Sequence, residues 1–554
     1  MANCENSMRL DIFPNCDKVS FGEPFGKPVV LGSYVESEII IGLVGAVGTG
    51  MNGVIWNITE KLKNHGYTQT TVIKVSKEFL QPYLKMFASE DLQSELEDND
   101  LKRISALMDT GNWLREKTDY GILALAIAAH ISSIRKEGSE PLPKHAFIID
   151  SIKHPAEVEI LRKIYGEGFY LVSVYEEKSK RLKNLCEKRH FRSDKSIASE
   201  AEKKKYATDL VERDEFEEHE FGQHTRDAFQ QADFFIDITR TDCSETLTRF
   251  IDLIFCDPFI TPTFGEYAMY MAYSASLRSA DLSRQVGSVI CKNDEILTMG
   301  TNDVPKFGGG LYWMELDCNT GEYKDKPDSR DYMVGYDSNK AEFIRLSRDI
   351  LKRLKVIESD VDADSIEIED VKDYLNILKK SRLGELTEYG RMVHAEMESL
   401  MMCSRGNVSC KDAEMYVTTF PCHNCAKHII AAGIKKIVYI EPYPKSKTLD
   451  FYKDSATQDP DDAEQKVLFS PFFGVGPSRF KELFAMKLNP YPEKIRKDKN
   501  TGQKTEYNRN GSSIRAQLLP VSYLDKEKYY LDLYSEYDRI LKTEVRNDGK
   551  HEPE

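Results

Sequence analysis
Three residues in the second half of the chain, His394, Cys422 and Cys425, carry side chains that bind zinc: one imidazole and two thiols. They fall in two short runs, His394-Ala395-Glu396 and Pro421-Cys422-His423-Asn424-Cys425. No fourth protein ligand stands at comparable spacing. Structural zinc sites close the tetrahedron with protein, whereas catalytic ones keep a position for water, so this pattern points to a catalytic centre. Glu396, just beyond the histidine, is placed to move protons beside the metal without binding it. Alone, a C-x-x-C is more often structural zinc, a redox pair or chance, and alone H-A-E carries nothing. Their order and joint occurrence give the weight. His423 and His428 read as bystanders.

The flanking residues supply the elements that must hold these groups. His394 to Cys403 has good helix formers and no Gly or Pro. Ala413 to Phe420 reads as a strand rich in Tyr, Val and Thr. Pro421 suits a helix start, and the helix continues from Cys422 to Ala432, where Gly433 stops it. Both thiols then lie in a first turn, where helix dipole and metal favour thiolate. Lys436 to Glu441 is the next strand. Upstream, a helix over 265–279 leads to a hairpin, 285–291 and 295–300, with Asn302 directly after it.

The N-terminal half holds a second constellation. An apolar strand, 38–44, runs into Gly45-Ala46-Val47-Gly48-Thr49-Gly50-Met51-Asn52-Gly53 and then a helix. Strand, Gly-rich turn and helix cradle phosphates, because backbone N–H groups face the anion. Against G-x-x-x-x-G-K-[ST], Gly45 and Gly50 match, while Met51 and Asn52 replace the Lys and Ser/Thr. The turn is therefore a candidate nucleotide site through Gly45, Gly48, Thr49, Gly50, Met51 and Asn52, without the parts for conventional ATP hydrolysis. A Gly-rich turn that only packs helix on strand is the competing reading. Strands at 71–75, 145–150, 169–174 and 232–238 alternate with helices, which implies a mostly parallel sheet. The charged stretch 176–231 reads as a solvated helical face, or else a lid or polyanion-binding surface.

At 554 residues the chain has room for two or three domains. A net charge of −15 disfavours a long polymeric nucleic acid as substrate. No run of about 18 apolar residues is present, so no membrane span is expected, and no secretory signal opens the sequence. Scattered cysteines, 11 in all, fit reduced thiols in a cytoplasm. The expected organisation is an extension over 1–36, a P-loop kinase-like domain over 37–256, and a zinc domain over 257–490. That domain carries an insertion at about 307–388, and a helical tail follows over 491–554.

H-x-E followed by P-C-x-x-C marks the zinc nucleobase deaminases. With the helix, hairpin and Asn302 in order, residues 262–448 resemble the deoxycytidylate deaminase family. The resemblance implies an α/β/α domain with a mixed five-stranded sheet, Zn²⁺ on His394, Cys422 and Cys425, and Glu396 as the proton carrier. It also implies a sugar contact from Asn302. Arg278, Arg284, Arg391, Lys445 and Lys447 are the cations available for substrate phosphates, and Tyr443 is placed to stack on the base. The whole chain is similar to the bacterial antiphage dCTP/dCMP deaminases, which fuse a degenerate P-loop kinase-like domain to such a deaminase. The stretches that carry this are 42–49, 222–227 with 232–237, 393–397 and 439–446. It implies deoxycytidine nucleotides as substrates, depletion of dCTP during phage growth, restraint by a small noncoding RNA, and homo-oligomers. A tRNA- or DNA-editing deaminase, and a nucleotide- or RNA-sensing regulator with a vestigial deaminase, are the alternatives.

Overall fold
The computed structural model describes residues 36–135, 140–187, 199–215, 217, 221–239, 243–356, 371–386, 388–441 and 446–548. The extension before residue 36 lies outside them, as does part of the charged stretch.

The first sheet has the order β14-β5-β4-β1-β3-β2. Its strands are β1 (Ile39–Val44), β2 (Gln69–Lys74), β3 (His145–Ile152), β4 (Phe169–Tyr175) and β5 (Phe234–Asp237), with a late addition, β14 (Gly474–Val475). The first five pair in parallel. β1, at the centre, is buried at every position, as a parallel strand covered on both faces must be. The helix Met51–Lys63 follows the Gly-rich turn and buries Val54, Ile55, Ile58 and Leu62. The helix Ile122–Ile134 is apolar almost all round because it packs between the sheet and the long C-terminal helix Pro520–Asp548. β14 pairs antiparallel with β5, so a strand from the C-terminal half completes the N-terminal sheet.

The second sheet has the order β12-β13-β11-β10-β6-β7. Its strands are β6 (Gly287–Lys292), β7 (Glu295–Thr301), β10 (Glu414–Thr419), β11 (Lys436–Glu441), β12 (Ala456–Thr457) and β13 (Val467–Pro471). It is mixed, with β6 antiparallel to both β7 and β10, and β10 parallel to β11. The two-residue β12 is one strand beyond the five expected. The β6–β7 turn places Asn293 at φ 52° and Asp294 at φ 60°, the two left-handed residues that a tight hairpin requires. The helix Phe264–Ser276 covers one face of this sheet, and Ala395–Arg405 covers the other. The insertion holds a small hairpin, β8 (Glu315–Asp317) and β9 (Glu322–Lys324), and the helices Ser338–Arg353 and Lys372–Lys379. Among the described residues no helix is long and apolar enough to cross a membrane.

Candidate metal centre and active site
His394 is the N-cap of the helix Ala395–Arg405, and Cys422 is the N-cap of His423–Ala431. Pro421 follows β10 and cannot extend the ladder, so the chain turns directly into the second helix. Cys425 lies in that helix's first turn. Two helix N-termini thus meet, and their unpaired amides favour thiolate and metal ligation. One ligand atom from each of His394, Cys422 and Cys425 lies within 4.8 Å of the others. His394 Nδ1 is 3.5 Å from Cys422 Sγ and 3.3 Å from Cys425 Sγ. Zinc bonded at about 2.0–2.3 Å spaces tetrahedral ligands roughly 3.3–3.8 Å apart, so these separations fit the ion, with a fourth position left over. No other cluster of this kind occurs among the described residues. His428 Nδ1 bonds the Asn424 carbonyl at 2.7 Å, and His423 lies against Phe451, so both stand outside the ligand set.

Glu396 is 3% exposed. Burial pushes its carboxyl up to about 7, against the opposing pull of His394. Cys422 is drawn down to about 4, first by its hydrogen bond with Cys425 and then by His394. A cavity of about 290 Å³ opens on His394, Glu396 and Cys422 and is walled by Asn302, Arg284 and Asp281.

The other expected site residues divide. Asn302 lines the cavity, but both its amide donors are engaged, by Asp281 Oδ2 and by the Arg284 carbonyl, each at 2.9 Å. Its Oδ1 accepts from the Val286 amide at 2.7 Å, which leaves one acceptor lone pair. Arg284 is on the cavity wall, 3.7 Å from Glu441. Arg391 turns away into the insertion, where it donates to Asp331 Oδ1 and to the carbonyls of Asp328 and Ser329, each at 3.0 Å. Arg278 stacks on Trp313, with 3.8 Å from its guanidinium carbon to the ring centroid. Lys447 pairs with Asp450 at 3.9 Å. Tyr443 and Lys445 lie outside the described residues.

The Gly-rich turn borders a second cavity of about 270 Å³, lined by Gly45, Gly48, Thr49 and Met51 but not by Gly50 or Asn52. The Val47 amide donates to Asp214 Oδ2 at 2.7 Å, and the Gly50 amide donates to Glu176 Oε2 at 3.0 Å. Asn52 Oδ1 accepts from Lys74 at 3.5 Å. Lys153 donates to the Gly45 carbonyl and to Asp214, both at 2.8 Å. The chain's own carboxylates therefore occupy amides that would face a phosphate. Lys153, Glu176 and Asp214 escaped the sequence reading because each is remote from the turn and belongs to no motif. Asp281, Asp337 and Asn339, which also line the zinc-site cavity, escaped it for the same reason.

Residues 262–441 match the family model for the cytidine and deoxycytidylate deaminase zinc-binding region. The deoxycytidylate deaminase of Enterobacteria phage T4 is 30% identical over 179 residues, which is 32% of this chain and 78% of the phage protein. ComE operon protein 2 of Bacillus subtilis is 49% identical over 53 residues, covering 10% of this chain and 28% of that protein. Among solved structures, dCMP deaminase from the cyanophage S-TIM5 matches at 17% identity and TM-score 0.21, over 39% of this chain and all of that one. The family model is that of a zinc-binding region, and the trio it covers fits zinc, so Zn²⁺ is the cofactor of this centre. By its identity to the phage enzyme over most of that enzyme's length, the chain belongs to the deoxycytidylate deaminase family.

Proposed function
We propose that the chain hydrolytically deaminates deoxycytidine nucleotides, dCMP or dCTP, at the centre formed by His394, Cys422 and Cys425. The observation that carries this reading is a trio of zinc-ligand atoms within 4.8 Å, sharing a cavity with the buried Glu396. Zinc, when bound, supplies a Lewis acid that brings the ionisation of water toward neutral pH. Glu396 takes a proton from the attacking water and delivers it to N3 of the cytosine ring. It then assists the 4-amino group to leave as ammonia. A buried carboxyl beside the reacting atoms can both accept and return that proton. Among the described residues Arg284, on the cavity wall, is the cation best placed for a substrate phosphate. The resemblance of the fused chain to antiphage dCTP/dCMP deaminases supports withdrawal of dCTP during phage growth as the setting. The P-loop-like cavity then serves to sense a nucleotide or RNA. Asp214 and Glu176 on the turn's amides weigh against hydrolysis of a triphosphate there.

The test is to offer the zinc-loaded protein dCTP, dCMP, deoxycytidine and a cytosine-containing single strand side by side. Conversion of the free nucleotides is expected. Glu396→Ala should keep its zinc and lose about 10²–10⁴-fold in turnover. Conversion of the strand alone, or normal turnover by Glu396→Ala, would overturn the proposal.

A further inference from the structure
The cavity on the Gly-rich turn shares no lining residue with the zinc-site cavity and has no part in the chemistry there. Its volume of about 270 Å³ is close to the lower end of small-molecule pockets, about 300 Å³. Its apolar wall comes from Ile104, Leu107 and Met108 of the helix Asp100–Lys117, and from Leu80 of the π-helical turn Ser76–Leu80 that follows β2. Such turns are rare and recur at functional sites. Asp150 and Ser151, near the end of β3, also line it.

The charged side chains on the wall are taken within the chain, with one exception. Arg103 donates to Asp100 Oδ1 at 3.1 and 2.9 Å. Arg115 donates to Glu157, to Asn112 and to the Phe221 carbonyl, and Glu157 also accepts from the Lys153 and His154 amides. Lys153 is held by Asp214, which also accepts from the Val47 amide and from Thr225. Asp150 is the exception. It is half-buried, and among the described residues nothing donates a hydrogen bond to its carboxylate, whose oxygens are not sealed in. Burial pushes this carboxyl up, against the pull of Lys74 and Lys153. The cavity therefore presents a free acceptor and, among the described residues, no free cation. A phosphate needs cations or bare amides, and the amides of Val47 and Gly50 are held by Asp214 and Glu176. A ligand with hydroxyl or amino donors and an apolar body suits it.

We propose that this cavity recognises a nucleoside without its phosphates: the base lies against the apolar wall, and a hydroxyl or amino group of the nucleoside donates to Asp150. The proposal rests on the reading of this cavity as a sensor and names what is sensed. Of the parts of a nucleotide or an RNA, the phosphates find their binding groups already occupied by carboxylates of the chain. Base and sugar remain, and they carry the flat apolar surface and the donors that the wall and Asp150 lack. A cavity of this size holds one such unit and no polymer. The Gly-rich turn then shapes the wall, while its amides bind the chain itself.

The experiment is calorimetry on the full-length, zinc-loaded protein with thymidine, deoxyadenosine and deoxyguanosine, each against its own 5′-triphosphate. None of them carries cytosine, so the zinc centre does not consume them. At least one nucleoside should bind, and its triphosphate should bind no tighter. Asp150→Leu should weaken that nucleoside by about tenfold to a hundredfold, the worth of a hydrogen bond to a charged acceptor. Asp150→Asn keeps an acceptor oxygen and should keep most of the affinity. Melting temperatures confirm that the variants fold, and the comparison of nucleoside with triphosphate on the wild type decides the proposal should Asp150→Leu not fold. A triphosphate that binds tenfold tighter than its nucleoside overturns the proposal and leaves the sensor reading standing, as does a nucleoside affinity that Asp150→Leu leaves unchanged. Binding of no member of either set overturns both. The measurement needs no turnover, so it is independent of the deaminase reading.

Discussion
At the scale of single residues, the site depends on a group that is not there. A Cβ on Gly300 would lie 2.2 Å from the Ala395 carbonyl oxygen and 2.6 Å from the Ser399 amide. β7 can therefore lie directly under the helix that carries Glu396. Ser288 and Thr298 hydroxyls then donate to the Ala395 and Ser399 carbonyls, at 2.7 and 3.0 Å. Gly300→Ala must lift the helix or bend the strand, at a cost of about 1–3 kcal/mol. His394 and Glu396 would move with it, so we expect weaker zinc retention in chelator competition along with a lower melting temperature. Loss of stability with unchanged zinc affinity would show that the metal site does not depend on this contact. The trio that could hold the metal was legible in the sequence because its spacing is local and its chemistry narrow. The need for Gly300 was not, since the helix it accommodates comes far later in the chain. Arg391 shows the converse: adjacency to the motif suggested a substrate contact, while its guanidinium satisfies the insertion.

Secondary-structure elements around the site were mostly legible from periodicity and breakers, and the misses have physical causes. β14 is two residues long and pairs with a strand far earlier in the chain, so no alternation marks it. The tie that seats it is Glu266. This carboxylate completes the capping box of the helix Phe264–Ser276 with Thr263, accepts twice from Arg249 at 2.7 Å, and accepts from the Val475 amide at 2.8 Å. One side chain thus joins a helix start, a neighbouring helix and the crossing strand. The capping pattern, Thr263 and then Glu266, is readable from sequence, but the other two partners are not. Glu266→Ala leaves Arg249 with the Thr261 carbonyl but no carboxylate, leaves the Val475 amide without its acceptor, and should cost about 2–3 kcal/mol. Urea unfolding measures this directly, and a cost no greater than that of a lost helix cap, about 1 kcal/mol, would show that β14 is held by other means.

Across the whole molecule, the two sheets do not stand as separable halves. The C-terminal segment returns to the N-terminal sheet, where the Leu518 amide donates to Ser37 Oγ at 2.8 Å and Tyr523 donates to Glu38 at 2.6 Å. Arg135, fully buried, pairs with Glu38 at 2.7 Å and also with Glu527 of the last helix. A further clasp joins three distant stretches. Asp252 bonds His65 Nε2 at 3.1 Å and takes two hydrogen bonds from Arg509, at 2.8 and 2.7 Å, while His65 Nδ1 meets Ser512 at 2.9 Å. Burial opposes ionisation of Asp252, but the hydrogen bonds from His65 and Arg509 win and hold its carboxyl below the ordinary value of 3.8. A carboxyl depressed in the folded state binds fewer protons there than in the unfolded chain, so stability rises with pH across that interval. Its contribution is complete above the ordinary carboxylate value and disappears as pH falls through the lower folded one. Arg509 is half-exposed and screened by solvent, so the buried His65 contact carries the larger share. Asp252→Asn should therefore unfold more easily than wild type at pH 7, by about 2 kcal/mol. That gap should hold steady down to about pH 5 and close in more acid solution, as the wild-type carboxyl itself takes up a proton. Denaturant melts of the two proteins from pH 7 to pH 3 read the difference. A gap that stays constant over the whole range would mean that the carboxylate's charge does not hold the C-terminal segment against the N-terminal sheet.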